Sequence, residues 1–418
     1  MRSRIRTPLA VMLGLFLAVA LTSPTGAAQR STLFSGDSFG SFAFVGKSVM
    51  SGRTAFVGVG CGSKAGTHVE NSMQSNQEEN ESTGSMSTGS VETSADAIQN
   101  ESVTKTLTKA TAHGVSLFKG RITASRVRAV SATLKDGKGM RTSPTGTVLT
   151  DLVVDGQAIE AEPGPNTKIT LSDLGYVVLN EQFGNSDGRT AVLTVNGIHL
   201  YVTEQNPLGI PVGTQYIVGH ARSALKPTGK AAVGGRAYGH KLFEGQRAES
   251  GPSAIVYMPC RGTGGQTLTN TLSGVSHPKV FQLGTVKDTA MGRVGKGTAT
   301  SLMTSSVKSV NLLNGLVTAD AIRAVARGSK EGNSRTFTNA GSKFVNLVVA
   351  GRPLGSETGP NSKIDLPGIG TLWLQRVIRT SSGIEVRMID LEVKQGNPFG
   401  LKPGSKLQIA VARAVVHR

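Results

Sequence analysis

Apolar and polar residues alternate along most of this chain with a period of two rather than 3.6. The pattern is clear in "ITASRVRAVSATL" (122–134), "TKITLSDLGYVVLNEQ" (167–182) and "RTAVLTVNGIHLYVT" (189–203). It returns in "GTLWLQRVI" (370–378), "GIEVRMIDLEV" (383–393) and "SKLQIAVARAVV" (405–416). Such alternation predicts strands with one buried and one solvated face. Turn signals separate them: "DGQ", "GPN", "NSDG" and "SSG" carry the Gly, Asn and Pro residues that tight turns favour. Strands recur about every 10–15 residues, with no helical segments to serve as crossovers. The expectation is an all-β chain of antiparallel sheets, packed as a sandwich or closed like a barrel.

The pattern also repeats on a longer scale. "GPNTKITLSDLG" (164–175) is echoed by "GPNSKIDLPGIG" (359–370), and the echo extends outward at the same offset. "LFKGRITASRVRAV" (117–130) lies over "LLNGLVTADAIRAV" (312–325), and "LTDLVVDGQAI" (149–159) over "FVNLVVAGRPL" (344–354). The stretch "TADAIRAVARGSK" (318–330) has some helical character, but its counterpart is richer in β-branched residues, so both are read as strands. A repeating unit of about 190 residues is too long for a solenoid and long enough for its own core. The expected organisation is two tandem homologous β domains, 36–226 and 234–418, joined by a linker at 227–233. In the GPN motif, Pro fixes φ, Asn tolerates a left-handed φ, and the Ile and Leu that follow alternate inward. One region departs from the order. Around 66–88 the chain is acidic and of low complexity, as in "ENSMQSNQEENESTGSMSTGS", and is expected to form a polar loop.

The first residues read as an export signal. Arg2, Arg4 and Arg6 precede the apolar run "PLAVMLGLFLAVAL", and small residues lead to a cleavage position near Ala28. Residues 1–28 are therefore expected to be a signal peptide. No later apolar segment is long enough to span a membrane, so no transmembrane span is expected in the mature protein. The chain is strongly basic, with a formal net charge of +18. That charge suits an anionic partner such as a cell-wall polymer. The cations are scattered in sequence and lack interleaved aromatics, so nucleic acid is not expected.

Chemistry-bearing motifs are few. Cys61 and Cys260 occupy equivalent places in the two copies and form a candidate disulfide, suited to an exported protein. Equivalent residues can bond only if the copies pack around a pseudo-two-fold axis beside them, with Cα atoms about 4.4–6.8 Å apart. The seven histidines show no ligand spacing, and His199 is expected to be an ordinary strand residue. Glu160 and Glu162 are the paired acids that a glycosidase could use, with only Glu357 nearby in the second copy. Trp373 and its counterpart Val178 are expected to face inward. No catalytic, cofactor-binding or metal-binding residue is assigned, and no cofactor is expected.

The motifs "LNGLVTADAIRAVA", "VNLVVAGRPL" and "GPNSKIDLPGIGTLWLQRV", with "LTDLVVDGQAIEAEPGPNTKITLSDLGYVVLNEQ" in the first copy, resemble the choice-of-anchor P family. The resemblance implies an exported, surface-associated, β-rich protein of Gram-positive bacteria, with no established activity and no functional residues to carry over. The family's C-terminal anchor varies; here the chain closes on "VARAVVHR", without a recognisable anchor. The resulting expectation is a secreted, non-catalytic structural or binding protein of the cell envelope, held there non-covalently through an anionic wall polymer. The alternative is a secreted hydrolase acting on envelope polysaccharide or peptide through a dispersed site.

Overall fold

The alternating stretches are strands, and they pair in the same order in both halves of the chain. The computed structural model describes residues 32–417 apart from 46–47, 52, 61–62, 74–75, 79–85, 161, 228–232, 245–246, 278 and 356–357. No helix occurs among the described residues, and none is long and apolar enough to cross a membrane.

Two antiparallel sheets make the first half. One runs Thr67–Met73, Val91–Gln99, Thr104–Leu117, Ile122–Asp136, with short strands along the free edge of the last. The other runs Thr167–Leu171, Gly175–Ser186, Ala191–Val202, Thr214–Pro227, Thr32–Val45. Their inner faces share one apolar core, with Val91, Leu117, Ile122 and Val127 from the first sheet against Leu179, Ile198, Leu200 and Val218 from the second. This is a sandwich, because each strand turns one apolar row inward and its polar row outward.

The second half repeats the order. Leu268–Leu272, Val286–Val294, Thr298–Leu312 and Val317–Glu331 form one sheet. Ser362–Leu366, Gly370–Thr380, Gly383–Val393, Lys406–Val416 and Val233–Glu244 form the other. "TADAIRAVARGSK" lies within Val317–Glu331, a strand, as its β-branched counterpart in Ile122–Asp136 implied.

The GPN echo has a local cause. Asn166 and Asn361 sit at φ +62° and +63°, a left-handed conformation that Asn adopts at little cost. Each Asn Oδ1 then accepts a backbone N–H from the next strand, from Gln182 and from Val377, both at 2.8 Å. Gly175 and Gly370 stand where a Cβ would meet the carbonyl oxygens of Tyr201 and Glu392 at 2.1 and 2.0 Å. Only glycine lets the neighbouring strand come this close.

Thr32–Arg418 is one compact unit. Ser48–Ser51 of the first half pairs in parallel with Leu268–Leu272 of the second. Reciprocally, Arg247–Ser250 of the second half lies against Thr67–Met73 of the first. The expected domain boundaries are therefore crossed by hydrogen bonds. The first described strand starts at Thr32, ahead of residue 36. Strands Thr214–Pro227 and Val233–Glu244 flank the expected linker, whose central residues 228–232 lie outside the described residues, as does the signal segment 1–28.

The acidic region needs a correction. Thr67–Met73 and Met86–Thr88 are strands rather than parts of a loop. Asn71 and Met73 are buried, and Thr67–Met73 pairs along its length with Val91–Gln99. The charges occupy its outer row, which hid the alternation. Residues 79–85 lie outside the described residues.

Candidate functional site

A ladder of hydrogen-bonded titratable side chains lies on the outer face of the sheet that carries the GPN hairpin. Strand pairing sets Glu181 opposite Asn196, and Asn196 opposite His220. Asn196 Nδ2 donates to Glu181 Oε2 at 2.6 Å, which fixes the amide and leaves Asn196 Oδ1 to accept from His220 Nδ1 at 2.7 Å. His199 Nδ1 lies 2.6 Å from Glu181 Oε2; a carboxylate only accepts, so the proton is on Nδ1. Tyr201 Oη donates to Glu181 Oε1 at 2.6 Å, and Gln215 Oε1 lies 3.0 Å from His199 Nε2. The ladder ends at Asp37, 3.5 Å from His220 Nε2.

The charges along it follow from these contacts. Burial pushes the Glu181 carboxyl up, and hydrogen bonds from His199, Tyr201 and Asn196 outweigh it, leaving Glu181 below the usual range. Burial together with the Glu181 carboxylate pushes the Tyr201 hydroxyl up, so it stays a donor. Burial pulls His220 down despite Asp37. Burial raises Asp37, but His220, Arg53 and Arg222 bring it below its ordinary value.

The second half has a ladder at the same register, with acid and base exchanged. Arg376 stands opposite Arg387 as Glu181 stands opposite Asn196, and Trp373 stands opposite Asp390 as Val178 stands opposite His199. Asp390 is fully buried and accepts from Arg376 at 2.8 Å and from Arg387 at 2.9 Å. Arg376 also donates to Glu392, and Arg387 to Glu385. Tyr238 Oη donates to Gln408 Oε1 at 2.6 Å, and Gln408 Nε2 reaches Asp390 at 3.5 Å. Burial raises the Glu385 carboxyl, and Arg387 with Arg236 more than reverses it.

The two ladders approach each other where the halves meet. Phe56 stacks on Tyr257 with ring centroids 5.1 Å apart. Arg53 lies over Phe39, Phe42 and Phe56, and Phe39 stacks on His220 at 4.2 Å. Phe42, on a first-half strand, packs into the second-half core.

The residues singled out by sequence fall in several places. His199 is a satisfied strand histidine, as expected, but its acid partner is 18 positions away and was not foreseen. Cys260 is disulfide-bonded, while Cys61 lies outside the described residues. Glu160 and Glu162 are exposed in a connection beyond the strands, and Glu357 lies outside the described residues. Trp373 and Val178 are corrected: they face outward. Leu372 and Leu374 take the buried positions, and Trp373 lies under the Arg376 guanidinium, 4.8 Å from ring centre to Cζ. A solvent-open cavity of about 300 Å³ is lined by Ser276, His277, Lys279, Gln282 and Asn311, without a carboxylate. Among the described residues no group of three or more His, Cys, Asp or Glu is placed to hold a metal ion.

No family model matches the chain, and no curated protein matches it. The resemblance to choice-of-anchor P proteins thus rests on the quoted strand and turn motifs alone.

Proposed function

We propose that this is a secreted, non-catalytic protein of the cell envelope that binds an anionic wall polymer and is retained by it without a covalent bond. The observation that carries this reading is the saturation of both ladders. His199 is engaged at both ring nitrogens, Glu181 at both oxygens, and Asp390 by two arginines. A general base or nucleophile needs an open valence toward a substrate. These groups spend theirs on each other, as a rigid scaffold does. Without Arg2, Arg4 and Arg6 of the signal segment the net charge is 42 − 27 = +15, and it supplies the attraction to a polyanion.

Salt elution from isolated envelopes of the producing cell tests the reading. The protein should stay bound at low salt and elute near 1 M salt, where the Debye length falls to about 3 Å. Retention that ignores salt would contradict it.

The same reading includes a Cys61–Cys260 bridge, suited to an oxidising compartment. The Phe56–Tyr257 stack supports it, since these residues sit a few positions before the two cysteines and bring the two halves together there. Alkylation without reductant should label neither cysteine; two labelled cysteines would remove the bridge.

A further inference from the structure

In sequence the cations are scattered, but the fold collects six of them on one face. This is the outer face of the second-half sheet built on Val286–Val294, Thr298–Leu312 and Val317–Glu331. The inward rows of these strands are buried: Val286 and Ala290, Met303 and Val307, Ile322 and Ala324. The outward rows present Lys287, Arg293, Lys308, Arg323, Arg327 and, on the neighbouring edge strand, Lys343, all exposed. Three of them form a single cross-strand row. Lys287 pairs with Ser306, Ser306 with Arg323, and Arg323 with Lys343. At about 4.8 Å between strands, the row spans about 14 Å. Acids occur only at its margins, Glu331 at a strand end and Asp320 where the pairing skips a residue. Asp320 accepts from Asn346 Nδ2 at 2.5 Å.

The matching row of the first half is different. There Ser72 pairs with Glu92, Glu92 with Thr111, Thr111 with Arg128 and Arg128 with Val148. Glu92 takes the place of Lys287, and Val148 that of Lys343. Glu70 and Asp96 add further acid to that face, with Asp96 2.6 Å from His68 Nδ1.

We infer that the second-half face, centred on the Lys287–Arg323–Lys343 row, is the docking surface for a linear phosphate polyanion. The inference rests on the function proposed above and places it on one sheet face. A planar guanidinium in the middle of the row matches two phosphate oxygens at once, and the flanking lysines neutralise neighbouring charges. Hydroxyls of Thr289, Thr304 and Ser306 stand between the cations. The apolar residues on these outward rows are Met291, Leu302, Ala321 and Val325, so no ring is offered for base stacking. The partner is therefore a phosphate chain rather than a nucleic acid.

The test uses the full-length mature chain and long-chain inorganic polyphosphate, with polygalacturonate and oligothymidylate as comparison arms. Tight, salt-sensitive binding is expected for polyphosphate. The triple variant Lys287→Glu, Arg323→Glu, Lys343→Glu should weaken it by about 10- to 100-fold and lower the slope of log K against log salt by about 2–3. Reversing Lys105, Lys109 and Arg128 in the first half should change it less than about threefold. If charge reversal prevents folding, the corresponding Gln variant is read instead, with an expected loss of about tenfold. An unchanged affinity in the second-half variant that folds overturns the surface while leaving polyanion binding intact. Tighter binding to polygalacturonate or oligothymidylate overturns the phosphate assignment. Failure to bind any of the three polyanions overturns the proposed function itself.

Discussion

The outer faces of the two GPN-bearing sheets carry different side chains on matching strands. In the first half one carboxylate, Glu181, accepts from an amide, a phenol and an imidazole: Asn196, Tyr201 and His199. In the second half the same positions are fully ionic, with Arg376 and Arg387 closing on Asp390. The strand order beneath is the same in both. Inward rows fix the frame, because apolar burial and register tolerate little change. Outward rows need only be satisfied, so acid and base can trade strands. The lesson extends to the other pair of sheets, where one outer face is mixed in charge and the other almost wholly basic.

The ladders should differ in how much they depend on one residue. Asp390→Ala leaves two half-buried guanidinium groups facing each other, and should destabilise the protein by about 3–5 kcal/mol. Glu181→Ala strands only neutral donors and one histidine, and should cost about 1–3 kcal/mol. Denaturant unfolding checks both. Equal losses would erase the distinction between an ionic and a hydrogen-bonded ladder.

The inner rows hold a smaller contrast. Thr93 Oγ1 donates to the Ala55 carbonyl, while the matching position in the second half is Asp288. Asp288 is fully buried, and neither oxygen has a hydrogen-bond partner. The Ser305 hydroxyl and the Gly239 N–H beside it are already given to Tyr238 and Ser253 carbonyls. Burial holds the carboxyl well above its ordinary value of 3.8, so the folded state keeps the proton. The unfolded chain releases it near 3.8, so stability falls as pH rises above that point. Asp288→Thr should therefore stabilise by about 1–2 kcal/mol at pH 7 and flatten stability against pH above 4. A destabilised variant would show that the acid has a partner after all.

The smallest effect is expected at Lys241, which occupies the place of Phe42. Its Nζ lies 4.3 Å from the centre of the Phe243 ring, as Phe42 stacks on Phe44 at 5.1 Å. Burial, then Arg236, brings the amine down to about 8. Charging it costs more in the folded state, so stability should rise as pH rises between about 8 and 10.5. Lys241→Phe should abolish that rise and stabilise the protein at pH 7. Thermal melts across this range decide it; a rise that survives the substitution would assign it to another group.

Much of the frame was legible in the sequence. The period of two marked the strands, and the paired Asn and Gly residues marked the turns, because left-handed φ and close strand approach restrict the residue type. The phase of some strands was not legible. Asn180 and Gln375 take positive φ in mid-strand, and a local irregularity there obscures which side Trp373 faces. The polar sites were not legible either. Asp37 meets His220, and Lys287 and Arg323 fall on one cross-strand row through Ser306, only after distant strands pair. One or two exposed cations per strand carry no signal until registers are known. The acidic tract misled for a related reason: its charges mask the buried Asn71 and Met73.

The most direct measurement is a lysine-acetylation footprint of the intact protein with and without long-chain polyphosphate. Polyphosphate is expected to protect Lys287, Lys308 and Lys343 and to leave Lys105 and Lys109 reactive. Equal protection of both sets, or protection of the first-half lysines alone, would contradict the assignment of polyanion binding to the second-half face.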